Sequence, residues 1–174
     1  MFTPRPHSRN FRRAAGLFTL LLSVLAVGGC QAPPAPKIFL QFYLQSPDVS
    51  GVAFTMPLSK LDYRRLPEAF LNSADITSVN EGFVTVAGER TACVFFQFSP
   101  LGTHELMMQS ASNVGRKIFL FSNGQPLGVR PIDQVIQSGQ LFVFVEEPDQ
   151  KALEQFVADV QSSQQRIAEM KKKQ

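Results

Sequence analysis

The sequence predicts an α+β fold: a single domain whose mixed or mostly antiparallel sheet carries two helices on one face. Three observations lead there. Strand-like runs rich in aromatic and apolar residues fill the first half of the folded part, from Lys37 to Phe98. The apolar period changes to that of a helix twice, near residue 106 and again after residue 149. The 138 residues from 37 to 174 are enough for one hydrophobic core, and no second boundary in composition divides them.

Taken in order, Lys37–Gln45 is an aromatic-rich strand, and Val52–Met56 and Leu61–Arg65 are shorter strands around Pro57. Asp75–Asn80 and Gly82–Ala87 read as a further extended pair. Thr91–Phe98 is apolar on both faces, the pattern of a central strand. Leu106, Met107, Ser110, Ala111 and Val114 then make one helical stripe, with Thr103 as its N-cap and Gly115 as a left-handed stop. Lys117–Phe121 returns to strand. Asn123-Gly124 predicts a tight hairpin, because both central positions of that turn need positive φ. A return segment ends near Pro131, and Leu141–Val145 reads as a buried strand. The last element is a helix opened by Pro148 and capped by Asp149, with Ala152, Leu153, Phe156, Val157 and Val160 as its apolar stripe. After residue 161 the stripe thins to Ile167 and Met170, so the final turns are expected to project into solvent, with Lys171–Lys173 at the negative end of the helix dipole.

The charge is unevenly placed. The net +3 arises because Arg5, Arg9, Arg12 and Arg13 precede residue 30 and no Asp or Glu does; the remainder carries 13 basic against 14 acidic residues. The basic excess thus belongs to a leader, which removes the case for a nucleic-acid partner. A 44% hydrophobic content with 16 Phe excludes a disordered chain, and two cysteines exclude a disulfide scaffold. Residues 1–29 have the three parts of an export signal: a positive stretch, an uncharged apolar run from Ala14 to Val27 too short to span a bilayer, and small residues before a cysteine. Val27-Gly28-Gly29-Cys30 resembles a bacterial lipobox. That resemblance implies cleavage between Gly29 and Cys30, acylation of Cys30 and attachment to membrane lipid. Residues 30–36, with three prolines, form an extended tether that reaches roughly 20 Å. The expected address is the cell envelope on the periplasmic side, with the outer membrane favoured because Gln31, not Asp, follows the cysteine.

Little chemistry is written in the rest. The mature chain has one histidine, His104, and one further thiol, Cys93. Cys93 stands between Ala92 and Val94 where a small buried residue is expected, and nothing nearby in sequence lowers its pKa. His104 reads as a surface residue. A zinc site would need several carboxylates to join one imidazole, so no metal is expected. The glycines fit neither a phosphate loop nor a dinucleotide fingerprint, and no mature Ser sits in a nucleophile elbow. Glu146, Glu147 and Asp149 cluster at a helix start, where carboxylates are electrostatically favoured. The expectation is a protein with no catalytic residues and no cofactor.

Residues 98–157 resemble the first periplasmic domain of SecD, the accessory subunit of the protein-export machinery. Phe98-Ser99 stands at the family's Phe-Asp, Gly102 at the Gly that opens a helix, and Asn113-Val114-Gly115-Arg116 at Asn-x-Gly-Lys. Ile118–Phe121 fills the following strand, Asn123-Gly124 stands at Asp-Gly, and Pro131 lies one residue displaced from the Pro of Ser-Ala-Pro. Ile132, Ile136, Gly139 and Leu141–Val145 match the tail. The chain departs in three ways: Asn replaces Asp in Asp-Gly, the Ser-Ala is missing, and no transmembrane bundle follows. The proton-coupled work of the whole subunit is therefore not expected. The resemblance implies the fold, and it implies contact with a protein or polypeptide partner through a sheet edge or a Phe-lined groove. The alternatives are a structural subunit of an envelope assembly and a hydrolase with dispersed residues.

Overall fold

The computed structural model describes residues 36–172 apart from 87 and 148. The expected leader, the expected Gly29–Cys30 cleavage position and lipid anchor, and all of the expected tether but Pro36 lie outside the described residues, as do the expected role of Pro148 and Lys173 of the expected basic helix end.

Seven strands form one antiparallel sheet: β1 (Leu40–Leu44), β4 (Leu71–Asn72), β5 (Ile76–Val86), β6 (Glu89–Phe98), β7 (Lys117–Ser122), β8 (Gln125–Pro131) and β9 (Gln140–Val145), in the order β4-β1-β7-β8-β9-β6-β5. The remaining two, β2 (Val52–Thr55) and β3 (Asp62–Arg65), make a separate hairpin. Two helices complete the fold, α1 (Pro100–Ser112) and α2 (Gln150–Lys172). The edge strands β4 and β5 are joined only by the three-residue turn Ser73–Asp75. Strands at opposite ends of the order can be so connected only if the sheet curls its two edges toward each other.

Alternation along the strands puts one set of side chains on the inner face. Phe42, Val94, Phe96, Ile118, Leu120, Leu141 and Val143 are fully or almost fully buried there. Leu106 of α1 and Leu153, Val157 and Val160 of α2 enter the same cluster, so both helices pack on one face. Phe42 anchors its centre, with edge-on contacts to Phe96 at 5.1 Å and Phe98 at 5.3 Å between ring centroids.

Several expectations are corrected. The expected pair of strands at 75–80 and 82–87 is not seen in the described residues. From Ile76 to Val86 the backbone is one 11-residue strand, with an irregularity at Ile76/Ser78 where the chain leaves the turn. Helix α1 starts earlier than Thr103: Ser99 is the N-cap, its hydroxyl accepts the Gly102 N–H at 3.2 Å, and Pro100 occupies the first turn, where a missing N–H costs nothing. The buried stripe of α1 is Gly102, Leu106 and Ser110, while Ala111 and Val114 face solvent. Ser110 is tolerated inside because its hydroxyl donates to Met107 O and accepts the Ile136 N–H at 2.9 Å.

Helix α2 stays docked through Gln164, one turn beyond the point where its apolar stripe thins. Gln161 Nε2 donates to Val79 O at 2.9 Å, Gln164 Nε2 to Ser73 O at 2.9 Å, and Ser163 Oγ accepts the Ile38 N–H at 3.1 Å. These polar groups bond backbone at the seam between the two curled edges. They thin the apolar stripe without releasing the helix. Asp149 caps α2 by accepting the Lys151 N–H at 3.0 Å.

Candidate functional site

The turn residues singled out by the SecD resemblance are spread around the fold. Asn123 and Gly124 have φ of 49° and 81°, both positive; the Asn123 side chain also clasps the start of β1, accepting from Phe39 N at 2.8 Å and donating to Lys37 O at 3.1 Å. Gly115, with φ of 88°, ends α1 and bonds Ile132 O at 2.8 Å. Asn113 caps the same helix end, donating to Gln109 O and accepting from Arg116. Pro131 closes β8 opposite Lys117. Gly102 and Gly139 serve close approach. A Cβ on Gly102 would meet Asp75 Cβ at 3.1 Å, and one on Gly139, whose φ is 69°, would collide with Thr103 Oγ1. These residues shape turns and seams; they do not converge on one cavity.

What does converge is the outer face of the sheet. Reading across β5, β6, β9, β8, β7 and β1, the residues Gly82, Cys93, Phe144, Val129, Phe119 and Tyr43 are successive cross-strand partners. They form one apolar row on the side away from the helices. Half of that face is covered. The β2–β3 hairpin lies on Tyr43, Phe119 and Phe121, with Phe54 at 4.8 Å from Phe119 and 5.0 Å from Phe121 between centroids, and Tyr63 at 5.1 Å from Phe119. Arg65 closes the rim, its guanidinium 3.7 Å from the Tyr43 ring centroid. Glu146 at the end of β9 fastens the hairpin's turn by accepting the N–H groups of Leu58 at 2.7 Å and Ser59 at 3.2 Å. Partial burial pushes the Glu146 carboxyl up, but the hydrogen bonds from Ser59 and Leu58 and the charge of Lys60 outweigh it and hold the pKa below the usual glutamate value.

The other half of the face is open. Phe95 is 38% exposed, and Phe142 and Phe144 are half-buried. Phe95 and Phe142 face each other across β6 and β9 with centroids 5.9 Å apart, and Phe144 stands edge-on to Phe142 at 5.4 Å. Gly82 leaves room for the Phe95 ring: a Cβ there would lie 2.5 Å from Phe95 Cε2. Cys93, beside Gly82 in this row, is fully buried, and burial pushes its thiol pKa up, which favours the unreactive form. The segments 91–98 and 141–145 are central strands, as expected from their apolar runs, but Phe95, Phe142 and Phe144 are only partly buried. The phenylalanines at alternate positions 142 and 144 mark a second, partly exposed apolar face, and that alternation was the signal available in the sequence.

Beside the rings, the loop 132–139 walls a groove of about 350 Å³ lined by Phe95, Arg130, Gln137, Gln140 and Phe142 among others. Arg130 lies flat on Phe142, 3.9 Å from its centroid, and pairs with Asp133 at 3.0 Å; its Nε has no partner. A rigid aromatic surface with one stacked guanidinium and neutral amides suits apolar side chains and backbone amides. It presents no nucleophile and base in hydrogen-bond reach. A larger polar basin of about 630 Å³ sits by the hairpin, but its charged groups serve the loop itself: Asp48 accepts from Ser50, Asp62 from Thr55 Oγ1 at 2.6 Å, and Arg64 donates to Val49 O and Gly51 O. Ser50's hydroxyl and N–H hold Asp48 below the usual carboxylate range. His104 is exposed on α1. Among the described residues no three His, Cys, Asp or Glu side chains gather as a metal site, and no helix is long and apolar enough to cross a membrane.

No protein-family model matches the sequence, and no curated protein matches it. Solved structures do. A structure of SecDF, described as a membrane component that enhances protein export, is similar over 91% of this chain and 71% of its own, with a TM-score of 0.56 at 13% identity. SecDF in a super-membrane-facing form is similar over 76% of this chain and 19% of its own, with a TM-score of 0.53 at 14% identity. At such identities the likeness is one of architecture, and in architecture the domain is SecD-like.

Proposed function

We propose that this protein is an envelope lipoprotein, held to membrane lipid through acylated Cys30, whose domain binds extended polypeptide and catalyses no reaction. The observation that carries the reading is the open aromatic half-face of Phe95, Phe142 and Phe144 beside the Arg130 groove. Rigid phenyl rings give contact area at low entropic cost and accept varied apolar side chains, while Gln137 and Gln140 offer donors and acceptors to a peptide backbone. The likeness to a component described as enhancing protein export makes exported chains the natural clients. On this reading the protein faces the periplasm, at the outer membrane in preference to the inner.

The test uses a permanently unfolded, carboxymethylated polypeptide and fluorescence anisotropy. The wild type binds, and Phe142→Ala weakens binding by about tenfold, the loss expected for one central aromatic contact. Unchanged binding in Phe142→Ala, or none by the wild type, would reject the site. Separately, Cys30→Ala should move the protein from the membrane to the soluble periplasmic fraction; retention through a carbonate wash would contradict the anchor.

A further inference from the structure

We propose that the chain pairs with a second copy of itself along the free edge of β5, about a two-fold axis at Phe83. The inference is independent of polypeptide binding on the aromatic face.

The edge is defined by which backbone groups point away from β6. Val79 O is taken by Gln161, and Gln97, the partner of Ser78, presents its carbonyl to Thr77 Oγ1 at 3.0 Å. Ser78 therefore bonds toward β6 and Val79 away from it, and the alternation of an antiparallel ladder carries this along the strand. Asn80, Gly82 and Val84 face β6; Glu81, Phe83 and Thr85 turn both N–H and C=O outward. β5 is last in the sheet, so no described strand meets those groups. The open stretch is bounded on one side by Val79, which α2 covers, and on the other by the turn at Gly88, whose φ is 88°. Its midpoint is Phe83.

A strand that can pair with anything is normally blunted by Lys, Pro or an inward charge. This one carries a single charge, Glu81, and its sequence from Glu81 to Thr85 suits its own reverse. Pairing about Phe83 sets Glu81 opposite the second copy's Thr85, Phe83 opposite Phe83, and Thr85 opposite Glu81, three hydrogen-bonded pairs. Thr85 is in turn the cross-strand partner of Arg90 on β6. Glu81 of one copy, Thr85 and Arg90 of the other thus fall in one row on one face, the carboxylate near the guanidinium. Glu81 and Arg90 are both exposed, and neither makes an ion pair within its own chain among the described residues. The guanidinium of Arg90 lies 3.8 Å over the Phe83 ring of its own chain, on the same face as Glu81 and Thr85. The register centred on Glu81 would oppose two carboxylates directly, which disfavours it. The charge complementarity occurs twice, once on each side of the axis.

The experiment is disulfide trapping in the full-length chain carrying Cys30→Ser, in which Cys93 is buried. Phe83→Cys places two thiols opposite each other with Cα atoms about 5.5 Å apart, within disulfide range. It should give a covalent dimer under mild oxidation, and Val84→Cys, which points to the other face, should not. Adding Glu81→Arg or Arg90→Glu should each lower the trapped fraction by about tenfold, and the double exchange E81R/R90E should restore it to within about twofold. Thr85→Pro removes an outward N–H that β6 does not use, so it should abolish trapping at unchanged melting temperature. Trapping by Phe83→Cys no greater than by Val84→Cys would overturn the proposal. So would failure of the double exchange to restore it, or loss of the dimer to an added unfolded polypeptide at this edge.

Discussion

The outer face of the sheet carries aromatic rings at both ends, but its two halves meet water differently. Over β1 and β7, Tyr43, Phe119 and Phe121 are sealed beneath a hairpin that contributes Phe54 and Tyr63, and none is more than 6% exposed. Over β6 and β9, no hairpin among the described residues covers Phe95, Phe142 and Phe144 in this way. Both halves come from the same alternation, so composition does not separate them. The covering hairpin does, and it is short: two four-residue strands fastened by Glu146. An apolar row that is lidded at one end and bare at the other is the contrast on which the proposed polypeptide binding rests.

Removing the lid's central ring is the most direct way to break this contrast. Phe54→Ala should cost about 3 kcal/mol in denaturant unfolding and open a second dye-binding surface over Phe119 and Phe121. A cost below about 0.5 kcal/mol would mean that the hairpin rides on the face without holding it. Cys93→Ser sharpens the contrast from the other side. It places a hydroxyl beneath the open rings and should cost about 1–2 kcal/mol while leaving polypeptide binding unchanged. Lost binding at an unchanged melting temperature would make the thiol part of the contact surface. Glu146→Gln should be the mildest, at about 1 kcal/mol near neutral pH. Because the native Glu146 pKa is depressed, its contribution is complete above the ordinary value of 4.5 and fades as pH falls below it through the native value. Wild type and Glu146→Gln should therefore converge in stability in acid. Parallel pH profiles for the two would refute the fastening role.

The fold class was legible because periodicity and turn chemistry are local. Asn123-Gly124 and Gly115 name their conformations in the residues themselves, and the stripe Leu153, Val157, Val160 lies on one side of a helix. Less could be read where a residue's partner is remote. Gln161, Ser163 and Gln164 look like a solvated surface until Val79, Ile38 and Ser73 are brought beside them. Ser99-Pro100 is a local helix-start signal, and Thr103 offers a competing one four residues on. The open face was hidden because phenylalanine reads as core wherever it stands. Only the register Cys93 to Phe144 and Phe95 to Phe142 shows that those rings look outward together.

The bond from Ile38 N–H to Ser163 Oγ joins positions 125 residues apart. A chain synthesised N-terminus first cannot make this stitch until Ser163, more than halfway along α2, has emerged. Until then the Ile38 N–H lacks this partner, and the carbonyls of Ser73 and Val79 lack Gln164 and Gln161. Closure is therefore a late and slow event, since long loops must be gathered before the reward arrives.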